Sequence, residues 1–189
     1  MILSARYRDA LVYAFDLHQN QSRSGSGVPY FAHLIGVSSL ALEYGADEDQ
    51  AIAALLHDAV EDQGGRETLA QISVRFGREV AAIVEGCTDA VDPPKPPWRE
   101  RKETYLAHLR GAARPVQLVS ACDKLYNARA IATDYRIVGE ALWSRFSGGR
   151  EGVLWYYREL AQVFPPDLPP AAELRRAVDE MRCLTQPDE

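Results

Sequence analysis

Cysteine is scarce in this 189-residue chain, which contains only Cys87, Cys122 and Cys183. The three are far apart, odd in number and form no CxxC pair, so the sequence excludes a thiolate metal site and a disulfide framework. Unpaired thiols are typical of a reducing compartment. No apolar run is long enough to cross a bilayer, and the N-terminus lacks a basic segment followed by a long apolar stretch. These absences predict a cytoplasmic protein with no membrane partner.

Positive charge is also in short supply, because the formal net charge is −6 at pH 7. A net negative chain is not expected to bind nucleic acids in general, since such binding depends on many phosphate contacts from lysine and arginine. A small anionic ligand remains compatible with this composition if the positive charge is local. The composition allows an oligomer but does not predict one.

The sequence has no alternating strand pattern and no internal repeat, whereas helical signals cover most of it. Ser4 and Asp47 are suitable N-caps. Pro and Gly residues separate the helices that the apolar spacing predicts, which are 5–19, 30–44, 48–61, 68–76, 78–87, 98–110, 114–132, 151–164 and 171–184. The segment 21–29 is predicted to be an irregular loop, and 92–97, with four prolines, a stiff linker. We therefore predict a single all-α domain over 1–189, a bundle of about eight to ten helices, with its core at about 4–164 and a C-terminal helix at about 171–184.

One apolar helical stretch suddenly becomes polar. After residues 53–56, which are Ala-Ala-Leu-Leu, the chain continues with His57, Asp58, Glu61 and Asp62. Leaving a buried polar group unpaired costs about 2–7 kcal/mol, so something must satisfy these side chains. On a helix, residues four apart lie on the same side, which places the two acids one turn beyond His57 and Asp58. A divalent metal ion is the natural partner for such a group.

Two further ligand candidates stand elsewhere in the chain. His33 opens the second predicted helix, and Asp123 interrupts another apolar run. Together with His57 and Asp58 they offer two nitrogen and two oxygen ligands, a set that suits Mn²⁺, Fe²⁺, Zn²⁺ or Mg²⁺. The alternative is that the histidines are satisfied core residues and the acids are surface charges. That alternative does not explain why polar residues interrupt apolar helices at three separate places.

These residues match a known signature. His33, His57-Asp58 and Asp123 follow the H…HD…D signature of the HD phosphohydrolase superfamily. With Glu61-Asp62, the Asp-Lys-Leu-Tyr-Asn run at 123–127 and the Pro-Tyr pair at 29–30, the chain resembles the hydrolase domain of RelA/SpoT homologues. It is most similar to the small stand-alone alarmone hydrolases. The resemblance runs from about 10 to about 164 and leaves no room for synthetase, TGS or ACT regions.

The resemblance implies specific roles. One Mn²⁺ would be held by His33, His57, Asp58 and Asp123. Glu61 and Asp62 would be catalytic, with Glu61 activating water and Asp62 aiding proton transfer. Asn127 would contact the nucleoside sugar, and Arg23 would lie against the base. The family often carries Arg-Lys at this position, whereas this chain has Arg23-Ser24.

Phosphate charge needs basic partners, and several lie near the motifs. The candidates are Arg99, Arg101, Lys102, Lys124 and Arg129. For the three bases after the prolines the alternative is a solvated helix face, with Glu100 and Glu103 as ion-pair partners. Tyr126 is a candidate for stacking on substrate, although an aromatic residue in a helix is more often part of the core. Tyr156 and Tyr157 are interpreted as core or pocket rim, and His18 as an ordinary helix histidine.

The leading functional hypothesis is a metal-dependent (p)ppGpp 3′-pyrophosphohydrolase that releases pyrophosphate and GDP or GTP. A second hypothesis keeps the same scaffold with another nucleotide, namely ppApp, the 2′-phosphate of NADPH or a nucleoside monophosphate. A third is a binding protein, either an alarmone sensor or an antitoxin-type partner. The presence of Glu61 and Asp62 argues against a sensor, because a protein that only binds does not require them.

Overall fold

Helices form nearly all of the regular structure. The computed structural model describes residues 2–89 and 96–186. Its α-helices are α1 (Ala5–His18), α2 (Tyr30–Glu43), α3 (Glu48–Leu56), α4 (Ala59–Asp62), α5 (Gly65–Phe76), α6 (Arg78–Cys87), α7 (Trp98–Gly111), α8 (Arg114–Val138), α9 (Gly149–Val163) and α10 (Ala171–Leu184). A 3₁₀ helix spans Gly139–Arg145. No strand occurs in the described ranges, so the predicted all-α helical bundle is confirmed.

The helix starts follow from local hydrogen bonding. The Ser4 side chain accepts from the backbone N–H of Arg6 at the start of α1. At the start of α3, Asp47 accepts from the N–H of Gln50 at 2.9 Å, and the Gln50 side chain accepts from the N–H of Asp47 at 3.3 Å. This reciprocal pair satisfies two amide donors that the first helical turn leaves open. Both predicted caps are confirmed.

The helix predicted over 48–61 is instead two helices. α3 ends at Leu56, and His57 and Asp58 form a turn before α4 begins at Ala59. Adjacent positions of an unbroken helix point about 100° apart, so two neighbours cannot easily reach the same point. The turn, with φ −97° and ψ −4° at Asp58, lets both side chains reach it. Helical bonding resumes when the N–H of Asp62 donates to the carbonyl of Asp58 at 3.0 Å.

Several other segments differ from prediction. α5 begins at Gly65 rather than at 68, α9 begins at Gly149 rather than at 151, and the 3₁₀ helix was not predicted. The 21–29 loop is closed by an antiparallel bridge between Ser22 and Pro29, so it is more ordered than expected. α8 continues past the predicted end at 132 as far as Val138, because no helix-breaking residue precedes Gly139, which has a φ of +56°. Of the predicted linker at 92–97, residues 92–95 lie outside the described ranges.

α8 lies at the centre of the molecule and contacts α2, α3, α6, α10 and the 3₁₀ helix. The buried hydrophobic residues form one cluster that extends from Ala10 to Met181. This continuity supports the single-domain prediction, whose boundaries stay a prediction. Within the described part of the chain, every helix is too short or too polar to traverse a bilayer.

Candidate active site

Four polar side chains meet where α2, the α3–α4 turn and α8 come together. His33 Nε2 lies 3.3 Å from His57 Nε2 and 3.5 Å from Asp58 Oδ2. Asp123 Oδ1, from the middle of α8, lies 3.4 Å from His33 Nε2 and 3.6 Å from His57 Nε2. His57 Nε2 and Asp58 Oδ2 are 3.0 Å apart. The four predicted metal-ligating residues are therefore brought together.

The surroundings orient these groups. His57 Nδ1 lies 2.8 Å from the Ala54 carbonyl and donates to it, which turns Nε2 toward the cluster. The Tyr30 hydroxyl donates to Asp58 Oδ2 at 2.6 Å. The Asn127 amide donates to Asp123 Oδ1 at 2.5 Å. Such hydrogen bonds hold the side chains in the orientation that a metal site needs.

The acids of the cluster remain ionised despite burial. Burial alone raises the pKa of Asp58, but the adjacent His57 and hydrogen bonds from His33 and His57 hold that pKa well below the usual value. For Asp123 the raising effect of burial is outweighed chiefly by Lys124, whose ammonium lies 2.5 Å from Oδ2, and the pKa is again well below its usual value. Both carboxylates are therefore able to act as anionic ligands at neutral pH.

The donor set fits a divalent cation. Nitrogen and oxygen ligands stand about 2.0–2.2 Å from such an ion, so neighbouring ligand atoms lie roughly 2.8–3.6 Å apart for tetrahedral to octahedral angles. The separations between His33, His57, Asp58 and Asp123 given above fall within that range. His33 and His57 are 1% and 2% exposed, so their ring nitrogens cannot be satisfied by bulk water. The atoms of His33, His57 and Asp58 that could bind a metal ion all lie within 4.8 Å of one another, an arrangement that fits a divalent ion.

The predicted acid pair lies on α4, directly after the ligand turn. Glu61 Oε1 lies 3.9 Å from an Nη atom of Arg101. Asp62 Oδ2 accepts from the Gln21 side chain at 2.8 Å. Gln21 is itself held, because its Oε1 accepts from Gln63 at 2.7 Å and lies 2.7 Å from His18 Nδ1. Asp62 is therefore tied to the loop that precedes α2.

The side chains of His33, His57, Asp58 and Asp123 are here called the metal cluster. Beside them lies a cavity of about 380 Å³, here called the substrate cavity. Five of the six predicted substrate-binding residues line it, namely Arg23, Arg101, Lys102, Lys124 and Asn127. Arg23 donates to Asn127 Oδ1 at 2.8 Å, which joins the 21–29 loop to α8. Three lysine or arginine cations from α7 and α8 thus line one cavity. This arrangement supplies the local positive charge that an anionic ligand requires.

A family model described as an HD domain matches residues 10–154. The chain belongs to the HD domain family. It is 37% identical over 124 residues to the guanosine-3′,5′-bis(diphosphate) 3′-pyrophosphohydrolase MESH1 of Xenopus tropicalis, an alignment covering 64% of this chain and 66% of that protein. The human MESH1 is 35% identical over 129 residues, which cover 67% of this chain and 69% of that protein. The matched part of the chain thus spans about two thirds of the length of these two relatives.

Solved structures show the same HD domain architecture. A structure described as a metazoan ortholog of SpoT that hydrolyzes ppGpp superposes with a TM-score of 0.77 at 25% identity, covering 96% of both chains. A protein of Listeria monocytogenes EGD-e superposes with a TM-score of 0.67 at 28% identity, covering 78% of this chain and 96% of that one. The helical arrangement described above is therefore shared with experimentally determined structures.

Three predicted residues of this HD domain lie outside the substrate cavity. Tyr126 packs its ring 5.1 Å from that of His33, and a Cβ at Gly36 would clash with it. The Tyr126 ring is partly buried and also lies 5.7 Å from the Arg23 guanidinium, so its contact with substrate stays a prediction. Arg99 faces the opposite side of α7, and Arg129 pairs with Glu173 at 2.9 Å on the surface.

Sequence reasoning missed several residues of the HD domain site. Asp89 is 5% exposed and accepts from Arg101 at 2.8 and 2.9 Å and from Lys102 at 2.6 Å. Burial raises its pKa, but Lys102 and then Arg101 bring that pKa below the usual value. Arg145, in the unpredicted 3₁₀ helix, lines the substrate cavity and pairs with Asp134 at 2.9 Å. An acid just before a proline-rich segment was the only signal for Asp89, and Arg145 had none.

The sequence also gave no sign of the contacts that His18 makes near the site. It is 1% exposed, its ring stacks on that of Tyr30 at 5.5 Å, and it contacts Gln21. Tyr30 binds Asp58 and Gln21 binds Asp62, so His18 supports both the ligand turn and the acid pair. The interpretation of His18 as an ordinary helix histidine therefore needs correction.

Proposed function

We propose that this HD domain is a divalent-metal-dependent 3′-pyrophosphohydrolase acting on (p)ppGpp and releasing pyrophosphate with GDP or GTP. The proposal rests on one observation, namely that α8 contributes neighbouring residues to both the metal cluster and the substrate cavity. Asp123 belongs to the first, and Lys124 and Asn127, one and four residues later, belong to the second. A ligand in the cavity would therefore place its phosphates directly beside the ion.

The charge pattern supports a pyrophosphate ligand. Burial lowers the pKa of Lys124, but Asp123 outweighs it and raises that pKa well above the usual value, so Lys124 stays a cation. Arg101 and Lys102 approach from α7 and are anchored by Asp89. Three cations around one small cavity are able to neutralise the charge on a pyrophosphate group.

We propose Mn²⁺ as the metal, held by His33, His57, Asp58 and Asp123. When bound, such an ion lowers the pKa of a coordinated water and offsets phosphate charge. A mixed nitrogen and oxygen donor set without thiolate suits Mn²⁺, and Fe²⁺, Zn²⁺ and Mg²⁺ are the comparison ions for the experiment.

The residues of the chain then divide the work. Glu61 orients the attacking water and accepts its proton, while Asp62, held by Gln21, assists the transfer. The water oxygen forms a bond to the phosphorus attached at the 3′ position. The bond from that phosphorus to the 3′ oxygen breaks, and the proton finally resides on the 3′ hydroxyl. Arg101 and nearby cations stabilise the departing charge.

Asn127 and Arg23 are proposed to bind the nucleoside. The Arg23–Asn127 hydrogen bond fixes both side chains at one end of the substrate cavity. We assign Asn127 to the sugar and Arg23 to the base, following the family resemblance. The serine that follows Arg23 makes base preference an experimental question. The cytoplasmic location and the absence of general nucleic-acid binding stay predictions.

A nucleotide panel tests the proposal. Purified protein is incubated with Mn²⁺ and, separately, with ppGpp, pppGpp, ppApp, NADPH and nucleoside monophosphates, with a chelator as control. We expect pyrophosphate and GDP from ppGpp, and no turnover with the chelator. Intact ppGpp beside cleavage of another nucleotide would assign the same scaffold to that substrate, and tight binding without any turnover would favour a sensor.

The acid pair is tested by Glu61→Gln and Asp62→Asn, with circular dichroism and thermal melting as fold controls. We expect kcat to fall by about 10²–10⁴-fold for a residue that performs general acid–base catalysis. A folded variant that keeps full activity would remove that residue from the mechanism.

A further inference from the structure

The substrate cavity adjoins a smaller volume of about 130 Å³, here called the annex. Five residues line both volumes, namely Arg23, Asn127, Ile131, Arg145 and Phe146. The annex lies between the 21–29 loop, the second half of α8 and the 3₁₀ helix. Sites for whole small molecules usually measure about 300–1,000 Å³, so the annex fits one part of a ligand rather than a complete nucleotide.

The polar residues of α8 follow one another in the order of the parts of a nucleotide. Asp123 belongs to the metal cluster, where the 3′ phosphates are placed, and Asn127 is assigned to the sugar. Asp134, which lines the annex, lies seven residues beyond Asn127, roughly 10 Å along the helix axis. A nucleotide with its 3′ phosphates beside the metal cluster and its sugar at Asn127 therefore directs its base into the annex.

Apolar side chains form much of the annex wall. Ile131 and Leu142 are 4% and 1% exposed, and the half-buried ring of Phe146 also lines the volume. Every nucleic-acid base has flat faces that pack favourably against aromatic and apolar side chains. Such walls favour a flat ring system but do not distinguish one purine from another, so any choice between bases depends on the polar groups at the edge of the annex.

Beyond Arg23, the charged groups of the annex are Asp134 and Arg145, which form an ion pair. Arg145 Nη1 donates to Asp134 Oδ2 at 2.9 Å. The stem of Arg145 packs against the 21–29 loop, where a Cβ at Gly25 would lie 2.6 Å from three of its atoms. The pair is therefore held between the loop, α8 and the 3₁₀ helix. It has no net charge, so it suits a neutral ligand that both donates and accepts hydrogen bonds.

We infer, on the basis of the proposed function, that Asp134 and Arg145 bind the edge of the base and select guanine over adenine. Guanine presents the N1–H and the C2 amine side by side as donors, with the O6 acceptor next to N1. A carboxylate only accepts hydrogen bonds and takes both donors, while Arg145 has further N–H groups for O6. Adenine has an unprotonated N1 and no amine at C2, so it leaves the Asp134 carboxylate without a donor where the base excludes water.

Calorimetric titration with GDP, ADP and xanthosine 5′-diphosphate tests this assignment. The three probes carry the same phosphate chain, so the ratio of their Kd values reports on the base alone. The test variant is Asp134→Asn, whose amide offers one acceptor and one donor group and so matches xanthine, which has a carbonyl at C2 instead of an amine. The matched control is Asp167→Asn, which removes a 76% exposed acid that pairs with Arg114 at 3.0 Å outside both volumes. Thermal melting confirms that both variants are folded.

We expect the wild type and the control to bind GDP at least about tenfold more tightly than ADP. In Asp134→Asn this preference should fall to within about threefold, and the xanthosine diphosphate should bind about tenfold more tightly than it does to the wild type. Equal affinity of the wild type for GDP and ADP, no binding of any probe, or an equal weakening of all three in the variant overturns the inference. Because the readout is binding, a preference for GDP without turnover of ppGpp would contradict the proposed reaction and leave this inference intact.

Discussion

Asp89 offers a quantitative test of how the cationic side of the substrate cavity is built. Replacing Asp89 with Asn keeps the shape of the side chain and removes its charge. In the native structure this carboxylate accepts three hydrogen bonds of 2.6–2.9 Å from Arg101 and Lys102. The variant removes the nearest counter-ion of both cations, so that Arg101 keeps only the more distant Glu61 at 3.9 Å and Lys102 faces Lys124. Burial and Lys124 already lower the pKa of Lys102, and Asp89 is the principal group that opposes them.

Breaking a fully buried ion pair costs about 3–5 kcal/mol. Asp89 is 5% exposed, but Arg101 and Lys102 are 16% and 18% exposed, so water compensates in part. We therefore expect a loss of about 2–3 kcal/mol in the free energy of unfolding, which lowers Tm by roughly 4–12 °C for a domain of this size. The control, Asp9→Asn, removes an acid that is 57% exposed and bound to Arg8. It should cost less than about 1 kcal/mol.

The stabilisation that Asp89 provides should depend on pH. Folding lowers the pKa of Asp89 below the usual 3.8, so the stabilisation is present above that value and is lost as the pH falls through the lowered pKa. Chemical denaturation of both proteins from pH 7 to pH 3 should therefore show a constant difference at first and a shrinking one below about pH 4. A difference under about 0.5 kcal/mol at pH 7 would refute this account of the cavity.

Two further predictions concern the site. Mn²⁺ at about 100 times its Kd should stabilise the fold by about 2.7 kcal/mol and raise Tm by roughly 5–11 °C, as measured by differential scanning fluorimetry with a chelator control. The Asp58→Asn variant should lose most of this rise in Tm. If the variant shows the full rise, the ion binds elsewhere. Gln21→Leu should lower kcat by about tenfold or more with KM little changed, because Asp62 loses the side chain that donates to it at 2.8 Å. The control, Gln19→Leu, removes only an exposed hydrogen bond to the Asp16 carbonyl and should leave kcat unchanged. Equal effects of the two glutamine variants on steady-state kinetics would contradict a positioning role.

Both the helical architecture and the four ligand candidates could be predicted from the sequence, and the physical reason is the same for both. Apolar spacing reveals a helix, and a polar residue inside an apolar stretch reveals a group that needs a partner. His57 and Asp123 both carry this signal. The turn after Leu56 was missed, because each residue there is compatible with a helix. The helix is interrupted only because the side chains of two adjacent residues, His57 and Asp58, reach the same point.

Residues that act through tertiary neighbours were harder to recognise. Gln21 and Asp89 are ordinary polar residues in sequence, and their roles depend on Asp62 and on the Arg101–Lys102 pair reaching them from other helices. Arg99 shows the reverse case, since its neighbours in sequence suggested the substrate cavity while helix geometry turns it to the other side. One residue along α7 changes the direction by about 100° and so the cavity that a side chain enters.

The ligand set also has a consequence for assembly of the molecule. His33, the pair at 57–58 and Asp123 come from distant parts of the chain, on α2, the α3–α4 turn and α8. Contacts of such long range form only after loop closure and docking of several helices. A fragment that ends before α8 lacks Asp123 and so cannot bring all four together. Tight metal binding would therefore serve as a probe of complete folding, appearing late in refolding and disappearing early when the packing of α8 loosens.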